Sequence, residues 1–191
     1  MASILAISGS ARRGSWNSRL LNIAADAVEV AGGKVTRLEM RDYPLPLYDE
    51  DLEKDEGLPP LVRQLRSLFV EHQGLLIASP EYNSSITPLL KNVIDWVSRP
   101  VVGEPPLAAF RGKVAALFSA SPGALGGLRG LVHVRSILGN IGVLVLPDQL
   151  AIPRAHQAFH ADEPRFIDDG QDGAIRRIAA ELVRVIDRLN G

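Results

Sequence analysis

The sequence contains no cysteine, which excludes disulfide bridges, thiolate-bound metals and redox-active thiols. It has no strong charge of either sign: the formal net charge is -1, so no broad basic surface is expected to hold nucleic acid. No apolar run approaches the roughly 20 residues that a membrane span needs, and the amino terminus lacks the pattern of a secretory leader. We therefore predict a cytoplasmic protein without nucleic-acid or membrane partners, in which any redox chemistry depends on a cofactor.

The remaining composition is that of an ordinary globular chain. Its 191 residues are 46% hydrophobic and 23% charged, which predicts a single domain over residues 1–191. Acidic residues are concentrated between positions 42 and 56, and a solvated loop is the simplest prediction for that segment.

Short apolar runs alternate with segments of helical periodicity along the whole chain. Apolar runs predict strands at 3–7, 34–40, 74–79, 113–119 and 142–146, and five helices follow them. This alternation predicts an α/β fold, a doubly wound three-layer sandwich around a five-stranded parallel sheet. With the flavodoxin-like strand order 2-1-3-4-5, strands one, three and four are neighbours. The loops after these three strands should therefore converge on one crevice at the carboxyl edge of the sheet.

The first of these loops, ISGSARRGSWN at 7–17, resembles two known phosphate-binding patterns without matching either. A P-loop requires lysine where Ser15 stands, and a dinucleotide fingerprint requires glycine where Ala11 stands. The hydroxyl of Ser10, the guanidinium of Arg12 and a following helix N-terminus instead suit a terminal monophosphate. The alternative is a capped turn, with Ser15 or Asn17 as the helix N-cap.

The second loop, PEYNSS at 80–85, places an acid, an aromatic ring and an amide in succession after a buried strand. Tyr82 could pack against a flat heteroaromatic ring, and Asn83 with its peptide groups could bond to the ring heteroatoms. Glu81 could act as a general acid or as a loop anchor, and the sequence leaves both open.

The third loop, at 119–129, is rich in glycine and small residues, so its backbone can approach a ligand closely. It also raises a rival hypothesis, because Ser121 lies in a pattern close to a nucleophile elbow and is followed by Asp148 and by His156 or His160. The first position of the pattern is serine instead of glycine, which counts against a serine hydrolase.

The histidines do not indicate a metal site. His156 and His160 are four residues apart, a spacing that on a helix would place both on one face. Pro153 lies close before them and favours a loop, and His72 and His133 are interpreted as ordinary helix residues. We predict no metal.

Together the three loops resemble the NADPH-dependent FMN reductase family, especially its quinone and chromate reductase branch. The shared motifs are GSxRxGSxN at 9–17, SPEYNxSxxxxLKNxIDWxSR at 79–99 and SPGxxGGxR at 121–129. The resemblance implies a flavodoxin-like fold, bound FMN, NADPH or NADH as electron donor, and a homodimer or homotetramer with the flavin near a subunit interface.

The resemblance also implies roles for particular positions. The FMN phosphate would be held by Ser10, Arg12, Ser15, Trp16 and Asn17, the isoalloxazine edge by Pro80, Glu81, Tyr82 and Asn83, and the other side of the ring by Ser121 and Gly123. Arg129 matches an arginine close to the flavin, and it joins Glu81 as a candidate for a catalytic role. Ser84 and Val132 stand where some quinone and chromate reductases carry tyrosine.

The leading hypothesis is an FMN-dependent NAD(P)H oxidoreductase. It would reduce quinones, free flavin or similar acceptors, including chromate and azo compounds, by ping-pong hydride transfer through bound FMN. One alternative is a non-catalytic electron carrier of the flavodoxin type, although arginines around the site favour an anionic nucleotide over a basic redox partner. The third and least favoured hypothesis is the serine hydrolase.

Overall fold

A parallel sheet of five strands forms the centre of the computed structural model, which describes residues 1–160 and 165–191. The strands are β1 (Ser3–Ser8), β2 (Lys34–Leu38), β3 (Gly74–Ala78), β4 (Val114–Ala120) and β5 (Leu144–Ile152). Their order across the sheet is β2-β1-β3-β4-β5, and every neighbouring pair is parallel. The predicted strand order and fold class are thereby confirmed.

Helices cover both faces of this sheet. They are α1 (Trp16–Val30), α2 (Glu50–Glu56), α3 (Pro60–Glu71), α4 (Pro88–Val97), α5 (Leu128–Asn140), α6 (Ala155–Ala158) and α7 (Asp169–Asn190). Helices α1 and α7 pack on one face, and α3, α4 and α5 pack on the other. Within the two described ranges, no helix combines the length and the apolarity needed to cross a bilayer.

The three central strands are buried because helices cover both of their faces. All residues of β3 and β4 are buried, as expected for continuous apolar runs in a parallel sheet. In β1, Leu5 and Ile7 join the core beneath α3, α4 and α5, while Ile4 and Ala6 join the core beneath α1 and α7. The alternating direction of side chains along a strand thus gives the sheet two hydrophobic cores.

The prediction of a solvated loop for the acidic segment was wrong for Glu50–Glu56, which form helix α2. Helix α2 forms there because the Asp49 carboxylate caps it, accepting hydrogen bonds from the backbone N–H groups of Asp51 (2.8 Å) and Leu52 (3.3 Å). Acidic residues in its first turn also interact favourably with the helix dipole. None of its residues is buried, so hydrophobic periodicity gave no signal of this helix.

Strand β5 begins later and continues further than predicted. It passes through Pro147 and ends at Ile152, with an irregular register between the pairs Ala115–Val145 and Leu117–Gln149. Because β5 is an edge strand, it tolerates a proline that cannot donate to the ladder.

The register of the three central strands brings their carboxyl ends close together, since β1 and β3 end at one level and β4 continues two residues further. Ser8 of β1 lies beside Ala78 of β3, which lies beside Phe118 of β4. Backbone hydrogen bonding continues one residue beyond β1 and β3, since Gly9 N donates to Ala78 O and Ser79 N donates to Phe118 O, both at 2.8 Å. The loops after β1, β3 and β4 therefore leave the sheet side by side.

Candidate functional site

These three loops line one cleft with a volume of about 290 Å³. The lining residues are Ser10, Arg12, Ser15, Trp16, Asn17, Pro80, Glu81, Tyr82, Ala120, Ser121 and Pro122. The structure thus brings together all but two of the residues predicted to bind a cofactor. The other two, Asn83 and Gly123, belong to the same loops but lie outside the lining.

The first loop presents an uncapped helix N-terminus to the cleft. Ser15 occupies the N-cap position of α1, but its side chain makes no capping hydrogen bond, and the first turn carries no acidic residue. Ser10 and Ser15 are both buried, and the Ser10 hydroxyl accepts a hydrogen bond from the N–H of Arg12 at 3.2 Å. Unpaired N–H groups, buried hydroxyls and the positive helix pole together form an anion-binding arrangement.

Asn17 connects the first loop to the third. Its Nδ2 donates to the carbonyl oxygen of Ala120 at 2.8 Å, and its Oδ1 accepts from the N–H of Ala120 at 2.9 Å. The neighbouring Trp16 stacks on Phe159, with ring centroids 5.6 Å apart. These two predicted ligand residues therefore also have structural contacts that the sequence did not reveal.

The second loop contains a tight turn at 82–85. Tyr82 and Ser85 exchange two backbone hydrogen bonds of 3.0 Å, and the residues between them, Asn83 and Ser84, have φ values of 50° and 66°. Positive φ at both central positions is characteristic of a type I′ turn. The turn leaves the Tyr82 side chain about half exposed at the edge of the cleft.

Glu81 anchors this loop to the start of α5. Its Oε1 accepts hydrogen bonds from Arg129 Nη2 (2.6 Å) and Nε (3.0 Å), and its Oε2 accepts one from the backbone N–H of Gly130 (3.0 Å). Burial alone would raise the pKa of Glu81, but the bonds from Gly130 and Arg129 outweigh it and lower that pKa. An ionised carboxylate with both oxygens engaged suits the anchor role better than the general-acid role.

Glycines allow the third loop to pack tightly against these groups. Gly127, with φ of +92°, precedes α5, and a Cβ there would lie 2.8 Å from Ser119 Oγ. That hydroxyl is itself buried and donates to the carbonyl oxygen of Gly126 at 2.6 Å. A Cβ at Gly130 would lie 3.2 Å from the carbonyl oxygen of Ser85. The backbone of the third loop and of the start of α5 thus packs closely against Ser119 and against the second loop.

The serine hydrolase hypothesis is not supported by the geometry. Ser121 Oγ accepts a hydrogen bond from the N–H of Gly123 at 3.2 Å, and in the described part of the chain it has no hydrogen bond to His156, His160 or Asp148. His156 lies in the short helix α6, where the sequence predicted a loop, and His160 lies beyond its end. Among residues 1–160 and 165–191, no three histidine or carboxylate side chains cluster as metal ligands would.

A second cavity of about 440 Å³ lies between the segment that follows the turn and helix α5. Its lining includes Ser85 and His133, whose Oγ and Nδ1 atoms are 2.9 Å apart. The sequence analysis treated His133 as an ordinary helix residue. Its position four residues after Arg129 was the available signal that it faces the same loop.

Comparison with known proteins identifies the family of the chain. The family model described as NADPH-dependent FMN reductase matches residues 2–157 of the chain. The chain belongs to this family. An NAD(P)H-dependent FMN reductase of Pseudomonas aeruginosa is 37% identical over 190 residues, covering 98% of this chain and 97% of the relative. The quinone reductase of Escherichia coli K12 is 34% identical over 147 residues, covering 75% and 72%.

A solved structure agrees with this assignment. The flavoenzyme NAD(P)H:(acceptor) oxidoreductase FerB of Paracoccus denitrificans is similar with a TM-score of 0.82 and 27% identity, covering 98% of each chain. The predicted resemblance to the NADPH-dependent FMN reductase family, and with it the prediction of an oxidoreductase, is confirmed.

The anchor formed by Glu81 can be tested through stability. Glu81→Gln is expected to lower the free energy of unfolding at pH 7 by about 1–3 kcal/mol, because the amide loses charge-assisted bonds from Arg129 and Gly130. The lowered pKa means that this contribution is present above the unfolded pKa of about 4.3 and is lost as pH falls through the folded pKa. The two proteins should therefore converge in acid, as measured by urea unfolding across pH.

The matched control is Glu181→Gln, which removes a carboxylate that pairs with Arg184 on the exposed surface of α7. Exposed pairs contribute little, so no measurable change is expected there. Equal effects of the two substitutions would contradict the anchor role of Glu81.

Proposed function

We propose that the chain is an FMN-dependent NAD(P)H oxidoreductase, with residues 1–191 forming one FMN-binding domain. The observation that carries the proposal is the single cleft lined by three loops, each of which bears one motif of the FMN reductase family. FMN would lie across this cleft, with its phosphate at the first loop and its ring between the second and third loops.

The donors of the first loop fit a monophosphate. The buried hydroxyls of Ser10 and Ser15 and the uncapped N–H groups of α1 supply several hydrogen-bond donors around one point. Arg12 adds a guanidinium at the same wall of the cleft. A phosphate monoester carries nearly two negative charges and three terminal oxygens, so it needs several donors of this kind.

The walls of the cleft also suit a flat ring. Pro80 and Tyr82 line it from the second loop, and Ser121 and Pro122 line it from the third. Tyr82 offers an aromatic surface at the rim, and the turn at 82–85 fixes the peptide groups beside it. When bound, FMN supplies the hydride chemistry, and the protein binds and orients the ring and its partners.

Glu81 and Arg129 would position the ring site and would not transfer protons. The carboxylate is occupied by Arg129 and by the N–H of Gly130, so it holds the second loop against α5. Loss of either partner would release the loop that carries Tyr82.

The names of the relatives favour a quinone or free flavin as electron acceptor, since the similar proteins include both FMN reductases and quinone reductases. We infer further that the chain assembles as a homodimer or homotetramer. Exposed apolar side chains at Leu125 in the third loop and at Leu128 and Val132 in α5 support this inference. A cytoplasmic location stays a prediction.

The proposal predicts that the purified chain binds flavin and oxidises NADPH in the presence of a soluble quinone. Turnover should greatly exceed that of free FMN at the same concentration, because the cleft places donor and acceptor against one ring in turn. Stopped-flow reduction by NADPH followed by reoxidation with quinone measures both half-reactions. Flavin binding without reduction by NADPH or NADH would instead support the electron carrier.

Arg12→Ala is expected to weaken FMN binding by about 1.5–3 kcal/mol, the contribution of a charge-assisted hydrogen bond to the phosphate. Fluorescence titration of the apoprotein gives the dissociation constant. Riboflavin, which has no phosphate, is the internal control, and its affinity should not change. An unchanged FMN affinity would remove Arg12 from the phosphate site.

A further inference from the structure

The turn at 82–85 has a backbone conformation that its own residues do not favour. Its central residues, Asn83 and Ser84, have φ values of 50° and 66°. Glycine is preferred at the second central position of a type I′ turn, because a side chain there is crowded by the neighbouring backbone. Serine stands at that position in this chain, so contacts from outside the turn are needed to maintain its conformation.

Helix α5 makes such contacts at both ends of the turn. Before the turn, Glu81 accepts hydrogen bonds from Arg129 and from the N–H of Gly130. After it, the hydroxyl of Ser85 lies 2.9 Å from Nδ1 of His133. The backbone is close to the helix as well, because a Cβ at Gly130 would lie 3.2 Å from the carbonyl oxygen of Ser85. The first turns of α5 therefore hold the turn on both sides.

The imidazole of His133 makes its contact from outside the cofactor cleft. His133 and Ser85 both line the cavity of about 440 Å³, and neither is among the residues that line the cleft. Tyr82, at the other end of the same turn, does line the cleft. Because Tyr82 and Ser85 exchange two backbone hydrogen bonds of 3.0 Å, a contact that fixes Ser85 also fixes the peptide groups of Tyr82.

We propose that His133 is a positioning residue of the cofactor site, which acts through the hydroxyl of Ser85 to hold the turn at 82–85 in the conformation that receives the flavin ring. The inference rests on the proposed function, which places the ring between the second and third loops. His133 does not touch FMN in this arrangement. Its role is to keep one wall of the ring site formed in the free protein, so that the binding of FMN does not have to order the turn.

Two substitutions of similar shape separate the hydrogen bond of His133 from the packing of its side chain. Asparagine places a polar atom where histidine has Nδ1, whereas leucine places a methyl group there, and the position is exposed, so neither disturbs the core. His133→Leu is expected to weaken the binding of FMN and of riboflavin by the same factor, about two- to tenfold, because the ring site is affected and the phosphate site is not. His133→Asn should retain most of the wild-type affinity. Fluorescence titration of each apoprotein gives the dissociation constants.

A double-mutant cycle tests whether His133 acts through Ser85. Ser85→Ala should have the same effect as His133→Leu, and the double variant should bind flavin no more weakly than either single variant. The matched control is Ser136→Ala. Ser136 lines the same cavity from the same helix, but in the ranges that the structure describes its hydroxyl makes no hydrogen bond to the turn. This control should leave both flavin affinities unchanged.

Hydrogen exchange of the apoprotein provides an arm that does not depend on flavin. The amide N–H of Ser85 donates to the carbonyl oxygen of Tyr82 at 3.0 Å, so its exchange rate measures how often the turn opens. His133→Leu should accelerate this exchange about two- to tenfold, since the turn loses one external hydrogen bond. His133→Asn and Ser136→Ala should keep the wild-type rate.

Three results would overturn the inference: an unchanged riboflavin affinity in His133→Leu, additive effects of Ser85→Ala and His133→Leu, or an equal loss in His133→Leu and His133→Asn. The last would show that the packing of the imidazole matters and its hydrogen bond does not. Failure of the wild type to bind any flavin would contradict the proposed function instead, and the exchange rate of the Ser85 amide would still decide whether His133 holds the turn.

Discussion

The candidate site depends on the hydrogen-bonded register of three parallel strands. Because β1, β3 and β4 are neighbours, and β4 ends only two residues beyond the level at which β1 and β3 end, the segments that follow them leave the sheet side by side. The backbone ladder brings together residues that lie more than a hundred positions apart in the sequence.

A second set of contacts turns these adjacent loops into one cleft. Thr87 Oγ1, at the start of α4, donates to the carbonyl oxygen of Gly9 at 2.7 Å, which joins the end of the second loop's connection to the first loop. Asn17 joins the first loop to Ala120, and Glu81 joins the second loop to α5. Each buried bond contributes only about 0.5–1.5 kcal/mol, but losing one leaves an unsatisfied polar group between loops that must stay in place. These contacts within the protein hold the three loops in place.

The sequence was sufficient for the alternation of strands and helices and for the three loops, because both rest on local patterns: apolar runs, helical periodicity and short motifs. The strand order was the flavodoxin-like order that the resemblance implies. It was insufficient where a local pattern had two possible outcomes. The acidic residues of α2 are compatible with a loop or a helix, and the Asp49 cap decides between them. Pro147 ordinarily ends a strand, and only the edge position of β5 allows it to continue.

Most of the predicted site residues lie in one cleft, but the sequence did not predict their individual contacts. The resemblance assigned Asn17 and Glu81 to cofactor binding, and both lie in the cleft lining. Asn17 and Glu81 bond to the backbone of Ala120 and of Gly130. A sequence carries no direct signal for a hydrogen bond from a side chain to the backbone of a distant segment.

A crystal structure of the chain with FMN tests the central claim most directly. The account predicts one FMN per chain, with phosphate oxygens within hydrogen-bond distance of Ser10, Arg12 and Ser15 and with the ring between Tyr82 and Ser121. FMN in another place, such as the cavity lined by Ser85 and His133, would contradict it.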